Sequence, residues 1–260
     1  MGSGRRTYTT AGQLALVLIM AMAGCAKSGD LAAACKANLD INAGFTKLFT
    51  TIPGLGEGPP PASAKPKIKA AYDRYLKNAF DEIEANKPKE IEKEITDALV
   101  EARKLGTGEI SDKFDKPPLT DETNRIDAYF FNSCSGAKTA ITGVDYAFKD
   151  VPATLKSGNV QFKFTNGGTE HHEMVILTRN AGVTDSWDTL LGLQEDQTRE
   201  KTQFITEADS EPGKSGYTSV ALKAGDYLML CGVKQGTSGD KEGTGPEHFK
   251  LGMKQEFKVV

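Results

Sequence analysis

The chain has 260 residues, with 38% hydrophobic residues, 26% charged residues and 27 glycines, a globular composition of one- or two-domain length rather than a disordered or collagenous one. A formal charge of −3 removes the basic footprint expected of a nucleic-acid binder, and four cysteines are too few for a disulfide-stapled miniprotein. Only three histidines occur, two of them adjacent.

Residues 1–24 read as a targeting segment. Arg5 and Arg6 supply a positive start, and Leu14–Ala23 is a ten-residue apolar run. As a helix it would rise about 15 Å, too little for a bilayer core of about 30 Å, so it reads as the hydrophobic part of a signal peptide. The run ends in Met22-Ala23-Gly24-Cys25, which resembles the lipobox of bacterial lipoproteins; the resemblance implies that Cys25 is lipidated and becomes the first residue. Loss of the leader removes two arginines and no acid, which takes the formal charge from −3 to −5. Residues 25–30 are then an anchor and tether. The expectation is an exported body held by lipid on a membrane, facing the periplasm or the cell exterior.

From 31 to 140 the apolar spacing is helical. Ile68, Tyr72, Tyr75, Leu76, Ala79 and Ile83 follow the three-and-four rule, as do Ile91, Ile95, Ala98, Leu99, Ala102 and Leu105, with Gly106 as a stop. Leu39, Phe45, Leu48 and Phe49 lie on a first, less regular helix, and Thr120-Asp121-Glu122 opens a last one before Ile126 and Phe130. Breaker-rich stretches at 53–66 and 106–118, with Lys87-Pro88 between the second and third helices, predict an antiparallel four-helix bundle. In an up-down-up-down bundle Cys35, early in the first helix, and Cys134, late in the fourth, are neighbours; a disulfide is expected there, two reduced buried cysteines being the alternative. The charge run at 87–94 reads as a solvated helix face. No histidine, nucleophile constellation or phosphate-binding glycine loop falls in this part.

After Gly143 the period changes to two. Tyr146 and Phe148, Phe162 and Phe164, and Met174 and Ile176 alternate with their neighbours, and glycine-bearing turns separate the runs. A short helix is expected at 187–193 and a final strand at Phe257 and Val259. Some seven strands over 144–260 predict a β-sandwich.

The donors in this second part carry the chemistry. Cys231, His248 and Met253 lie near the end, and His171 and His172 on an earlier strand. Two imidazoles and a thiolate with a weak axial thioether form the blue-copper arrangement, in which a stiff scaffold limits reorganisation when an electron moves.

Three segments carry a closer likeness: Asn166-Gly167-Gly168-Thr169-Glu170-His171-His172-Glu173-Met174-Val175-Ile176, Gly225-Asp226-Tyr227-Leu228-Met229-Leu230-Cys231, and His248-Phe249-Lys250-Leu251-Gly252-Met253. With them, residues 144–260 resemble the plastocyanin-like cupredoxins, and the whole chain resembles the lipoproteins of that group that carry a helical N-terminal region. The resemblance implies a Greek-key sandwich and one type 1 copper cycling between Cu(I) and Cu(II). It implies His172, Cys231 and His248 as equatorial ligands and Met253 as the axial one. Strand alternation agrees on His172, which shares a face with Met174 and Ile176. His171 and Glu173 are then surface or supporting residues beside the ligands. With Cys25 lipidated and Cys35 paired with Cys134, Cys231 is the cysteine left over, as a metal ligand would be.

One departure is plain: sixteen residues, Gly232–Glu247, with five glycines, separate Cys231 from His248, where the family has only a few. Such a loop is expected to be flexible and polar, able to cap the site, dock a partner or admit water; closure entropy grows slowly enough with length that neither ligand need move. The function implied is a one-electron carrier between redox partners, not an enzyme, since a closed copper site offers no position for substrate. Copper storage or delivery, and a metal-free binding module on the same fold, are the alternatives.

Overall fold

The computed structural model describes residues 29–52, 60–113, 116–239 and 241–260. The expected leader and the lipidation residue Cys25 lie outside them. Among the described residues no helix is long and apolar enough to cross a membrane.

Helix α1 (Leu31–Thr51) starts at Asp30, whose carboxylate accepts from the N–H groups of Ala32 and Ala33, two of the donors that a helix start leaves bare. Helices α2 (Lys65–Tyr75) and α3 (Lys77–Ala85) follow, then α4 (Glu92–Ala102) after the Lys87-Pro88 break and α5 (Leu119–Ser133). Among the described residues the expectation of four helices is therefore corrected to five: the stripe from Ile68 to Ile83 is two helices, broken at Leu76. The break falls where α1 passes closest, at Gly44, where an added Cβ would sit 2.6 Å from both Tyr75 O and Leu76 Cδ2. Periodicity alone misses it because both halves keep the same apolar spacing. Cys35 and Cys134 form a disulfide with Cα atoms 5.6 Å apart, tying the start of α1 to the end of α5.

The strands begin earlier than the change of period suggests. Strand β1 (Ala137–Val144) occupies the end of the stretch expected to be helical; its Thr and Ile residues pair with β4 (Gly158–Asn166), to which it runs parallel. The short strands β2 (Ala147–Lys149) and β3 (Thr154–Leu155) lie between them in sequence. Then come β5 (His172–Arg179), helices α6 (Trp187–Leu191) and α7 (Glu195–Lys201), and strands β6 (Thr202–Ser210), β7 (Ser215–Leu222), β8 (Gly225–Leu230) and β9 (Lys254–Val259). These strands make two sheets, in the orders β2-β1-β4-β7 and β3-β9-β8-β5-β6. Phe162 and Phe164 from the first sheet pack against Met174, Ile176, Met229 and Phe257 from the second, the inward half of each alternation. Trp187 and Leu190 of α6 cover Leu228 and Leu230 on the outer side of the second sheet.

The helices are not a free-standing bundle. The side-chain amides of Asn38 and Asn42 on α1 both donate to Ser219 of β7, Thr46 donates to the carbonyl of Ile205, and Asn124 on α5 donates to the carbonyl of Ser215. Phe131 and Tyr217 meet with ring centroids 5.5 Å apart. The helical layer thus leans on the outer face of the first sheet, leaving one end of the sandwich to the candidate donors.

Candidate metal centre

Four chain segments converge at that end. His172 is the first residue of β5, Cys231 directly follows β8, His248 opens a single 3-10 turn over His248–Leu251, and Met253 directly precedes β9. Backbone hydrogen bonds lock the last three together. The N–H of Cys231 donates to Met253 O at 3.1 Å, that of Met253 to His248 O at 3.0 Å, and that of Phe249 to Cys231 O at 2.9 Å. Gly252, at φ 117°, supplies the left-handed residue that turns the chain from the His248 turn into β9. His172, Cys231, His248 and Met253 are all 0% exposed.

The donor atoms are close. His172 Nδ1 and His248 Nδ1 are 3.0 Å apart, and Cys231 Sγ lies 3.3 Å from His248 Nδ1 and 4.0 Å from His172 Nδ1. The outer nitrogens are each claimed by a carboxylate, His172 Nε2 by Asp145 at 2.7 Å and His248 Nε2 by Glu170 at 3.0 Å. Burial pushes both carboxyls up, but hydrogen bonds outweigh it and hold them below the usual range. Asp145 receives them from Thr169 and His172, and Glu170 from Gly236, His248 and Tyr146. Burial lowers His248, keeping that ring neutral.

An ionised carboxylate only accepts, so each Nε2 carries a proton and donates it to its carboxylate, which turns each Nδ1 toward the sulfur. The two Nδ1 atoms face each other beside the Cys231 sulfur. Two nitrogens and one sulfur so placed form a trigonal donor set that suits copper. Burial pushes the Cys231 thiol up to about 12, while the N–H groups of Glu173 and Val233 favour the thiolate; the Glu173 N–H lies 3.4 Å from the sulfur. A bound metal takes the place of that thiol proton.

Rigid supports surround the donors. Asn166, fully buried, donates to the carbonyls of Glu170 and Ser210 and accepts from the N–H of Gly168, which pins the turn leading into His172. Glu173 accepts from the N–H of Gly232 at 2.7 Å, next to the cysteine. His171 faces away, toward Glu211 at 3.0 Å and Asp209 at 3.6 Å; only its backbone N–H, on Thr237 O, reaches toward the loop over the site. Met253 adjoins the trio through its backbone, and its terminal methyl would lie 3.0 Å from a Cβ placed on Gly143.

The long Gly232–Glu247 loop is a folded hairpin over its described residues and lies against the site, in keeping with the first of the roles expected of it, a cap. Lys234 pairs with Glu247 and Ser238 with Lys241. The hairpin also completes the site, because the N–H of Gly236 donates to Glu170 at 2.7 Å. Gln235 holds the hydroxyl of Tyr146, which donates to Glu170 and whose ring lies 4.9 Å from that of His248. Composition shows five glycines there but not the carboxylate they close on. Asp145, Glu170 and Tyr146 are the residues that sequence reasoning missed. Glu170 sits inside the quoted Asn166–Ile176 run, yet no spacing marks a carboxylate aimed at an imidazole 78 positions away.

No protein-family model and no curated protein matches the chain. Solved structures do. An auracyanin from the photosynthetic bacterium Roseiflexus castenholzii is 18% identical, covering 49% of this chain and 99% of its own, at a TM-score of 0.34. Auracyanin A, a "blue" copper protein from Chloroflexus aurantiacus, is 19% identical over 48% of this chain and 98% of its own, at 0.32. Reduced rusticyanin is 18% identical over 49% of this chain and 82% of its own, at 0.30. The chain's own elements make it a helical region followed by a β-sandwich. At such identities and scores the likeness decides nothing about chemistry; the donor set does.

Proposed function

We propose that the protein is an exported, lipid-anchored copper protein that carries one electron at a time between redox partners. His172, Cys231 and His248 would hold the metal, with Met253 as the weak axial donor. The observation that supports this reading is the pair of Nδ1 atoms 3.0 Å apart beside a buried thiol, each ring oriented by its own carboxylate. Copper in such a site supplies a Cu(I)/Cu(II) couple. The chain's own residues do the rest. Asp145 and Glu170 fix the ring tautomers, the Glu173 N–H favours the thiolate over the thiol, and the hairpin with Tyr146 keeps water off His248. With every donor buried there is no open position for a substrate, which favours a carrier over an enzyme; the same burial argues against the rapid metal exchange that storage or delivery would need.

The test is addition of Cu(II) to the full-length protein and to Cys231→Ser, followed by visible absorption. An intense thiolate-to-copper band in the wild type that is lost in the serine variant is the expected result. A folded, reduced wild type without that band would refute the reading and leave a metal-free module.

A further inference from the structure

Away from the metal donors, α1, α3, α4 and α5 line a pocket of about 220 Å³ in the middle of the helical region. Its wall is mostly apolar, with Ile41, Phe80, Ile83 and Leu99 among its residues. One group does not belong in such a wall. Asp127 on α5, half-buried, lines the pocket and has no hydrogen-bond or ion-pair partner among the described residues.

The contrast with another acidic side chain of the same region is direct. Glu101 on α4, also withdrawn from solvent, is met by Lys104, Ser111 and Lys113, which together hold its carboxyl at about 2. That carboxylate is surrounded by donors. Asp127 has none, and burial alone pushes its carboxyl up to about 7. An unpaired carboxylate in an apolar wall costs stability and returns no packing, because a leucine or asparagine would serve the helix as well.

We infer that this pocket binds a small organic amine, its apolar body between the helices and its ammonium on Asp127. The size sets the body. A dry cavity of about 150 Å³ in another protein accepts benzene, so about 220 Å³ has room for a six-membered ring or a short branched chain together with an aminomethyl group. The carboxylate sets the head: an ammonium brings both the opposite charge and the N–H donors that Asp127 lacks. A neutral ligand of the same shape only fills volume, and an anion is repelled. The inference is independent of the metal centre, since the pocket lies among the helices and shares no residue with the copper donors.

The experiment is isothermal titration of the full-length protein with benzylamine, toluene and benzoate in mildly alkaline buffer, where the carboxyl is ionised and the amine still charged. Benzylamine should bind one to one and at least about tenfold more tightly than toluene, the usual effect of a charge-assisted hydrogen bond, and benzoate should not bind. Asp127→Asn should weaken benzylamine about tenfold while leaving toluene unchanged. Ala98→Leu, which fills the pocket and keeps the carboxylate, should abolish binding of both. Equal binding of toluene and benzylamine, or benzylamine binding that survives Ala98→Leu, would overturn the inference, as would failure of the wild type to bind the amine. If Asp127→Asn does not fold, the toluene comparison and Ala98→Leu still decide. Retention of the visible copper band in both variants separates a failure here from a failure of the copper reading.

Discussion

The strongest test of the metal centre leaves its four candidate ligands unsubstituted. Gly168 lies in the turn before His172, and a Cβ built there would stand 2.2 Å from Asp145 Oδ1 and 2.5 Å from His172 Nε2. Ordinary non-bonded contact begins at about 3.5 Å, so Gly168→Ala places a methyl in the line of the Asp145–His172 hydrogen bond. The His172 ring is fully buried and has nowhere to go, whereas the Asp145 side chain is partly exposed and can swing outward. The variant should therefore lose that hydrogen bond, and because the methyl would also stand 2.5 Å from Nε2 itself, the turn that carries Gly168 must give way against the ring. A hydrogen bond to a charged group is worth about 1.5–3 kcal/mol, which corresponds to roughly ten- to hundredfold in affinity. Loss of a partner on a ligating histidine has the same range of effect. Chelator competition, followed by visible absorption, should show Gly168→Ala binding copper roughly ten- to hundredfold more weakly than wild type. Gly167→Ala is the control, because a Cβ at that position has no neighbour nearer than 3.5 Å. If the two variants bind copper alike, the carboxylate–imidazole pair does not organise the site and the reasoning from tautomers fails.

Two further outcomes follow from the helical region. Reduction of the Cys35–Cys134 disulfide, or its replacement by two alanines, releases residues 99 apart in sequence; the chain-entropy model then predicts a loss of about 4–5 kcal/mol, read as a lower urea midpoint for the helical transition, and an unchanged midpoint would contradict it. Asp127 gives a pH signature. Its folded value of about 7 lies above the 3.8 of a free carboxyl, so the folded state holds the proton more firmly and the protein loses stability as pH rises from about 4 to about 7. Asp127→Asn should remove its share of that slope, leaving the same-signed contributions of Glu207 and Glu173, which burial also pushes up, and be more stable than wild type by up to about 4 kcal/mol at pH values above 7, with little difference near pH 4. Parallel urea curves for the two proteins at all pH values would show that the carboxyl is not buried as described.

What was legible in the sequence followed from short-range rules. Helical spacing and its change to alternation are local properties, so the passage from helices to strands was visible to within a few residues. His172 separated itself from His171 because alternation assigns a strand residue to a face without reference to any partner, and the inward positions of β5 are those of Met174 and Ile176. Cys35 and Cys134 could be paired because antiparallel helices bring the first and last ends together. The break at Leu76 escaped, since it depends on how closely α1 approaches at Gly44, a contact between segments.

Only the tertiary structure decided what surrounds the donors. Asp145 and Glu170 reach imidazoles that lie 27 and 78 positions away, and an acidic residue in a polar turn looks the same in sequence whether it faces solvent or a histidine. The glycines of the long loop suggested freedom, whereas their backbone N–H groups, one of them on Glu170, make the hairpin part of the site. Nothing in the sequence sets Asp127 apart from other acidic helix positions, and only the pocket shows that among the described residues no group meets it. Residue type and spacing name the candidate ligands because coordination chemistry selects few side chains. The groups that hold those ligands, and the voids between elements, arise from contacts distant in sequence, and no periodicity encodes them.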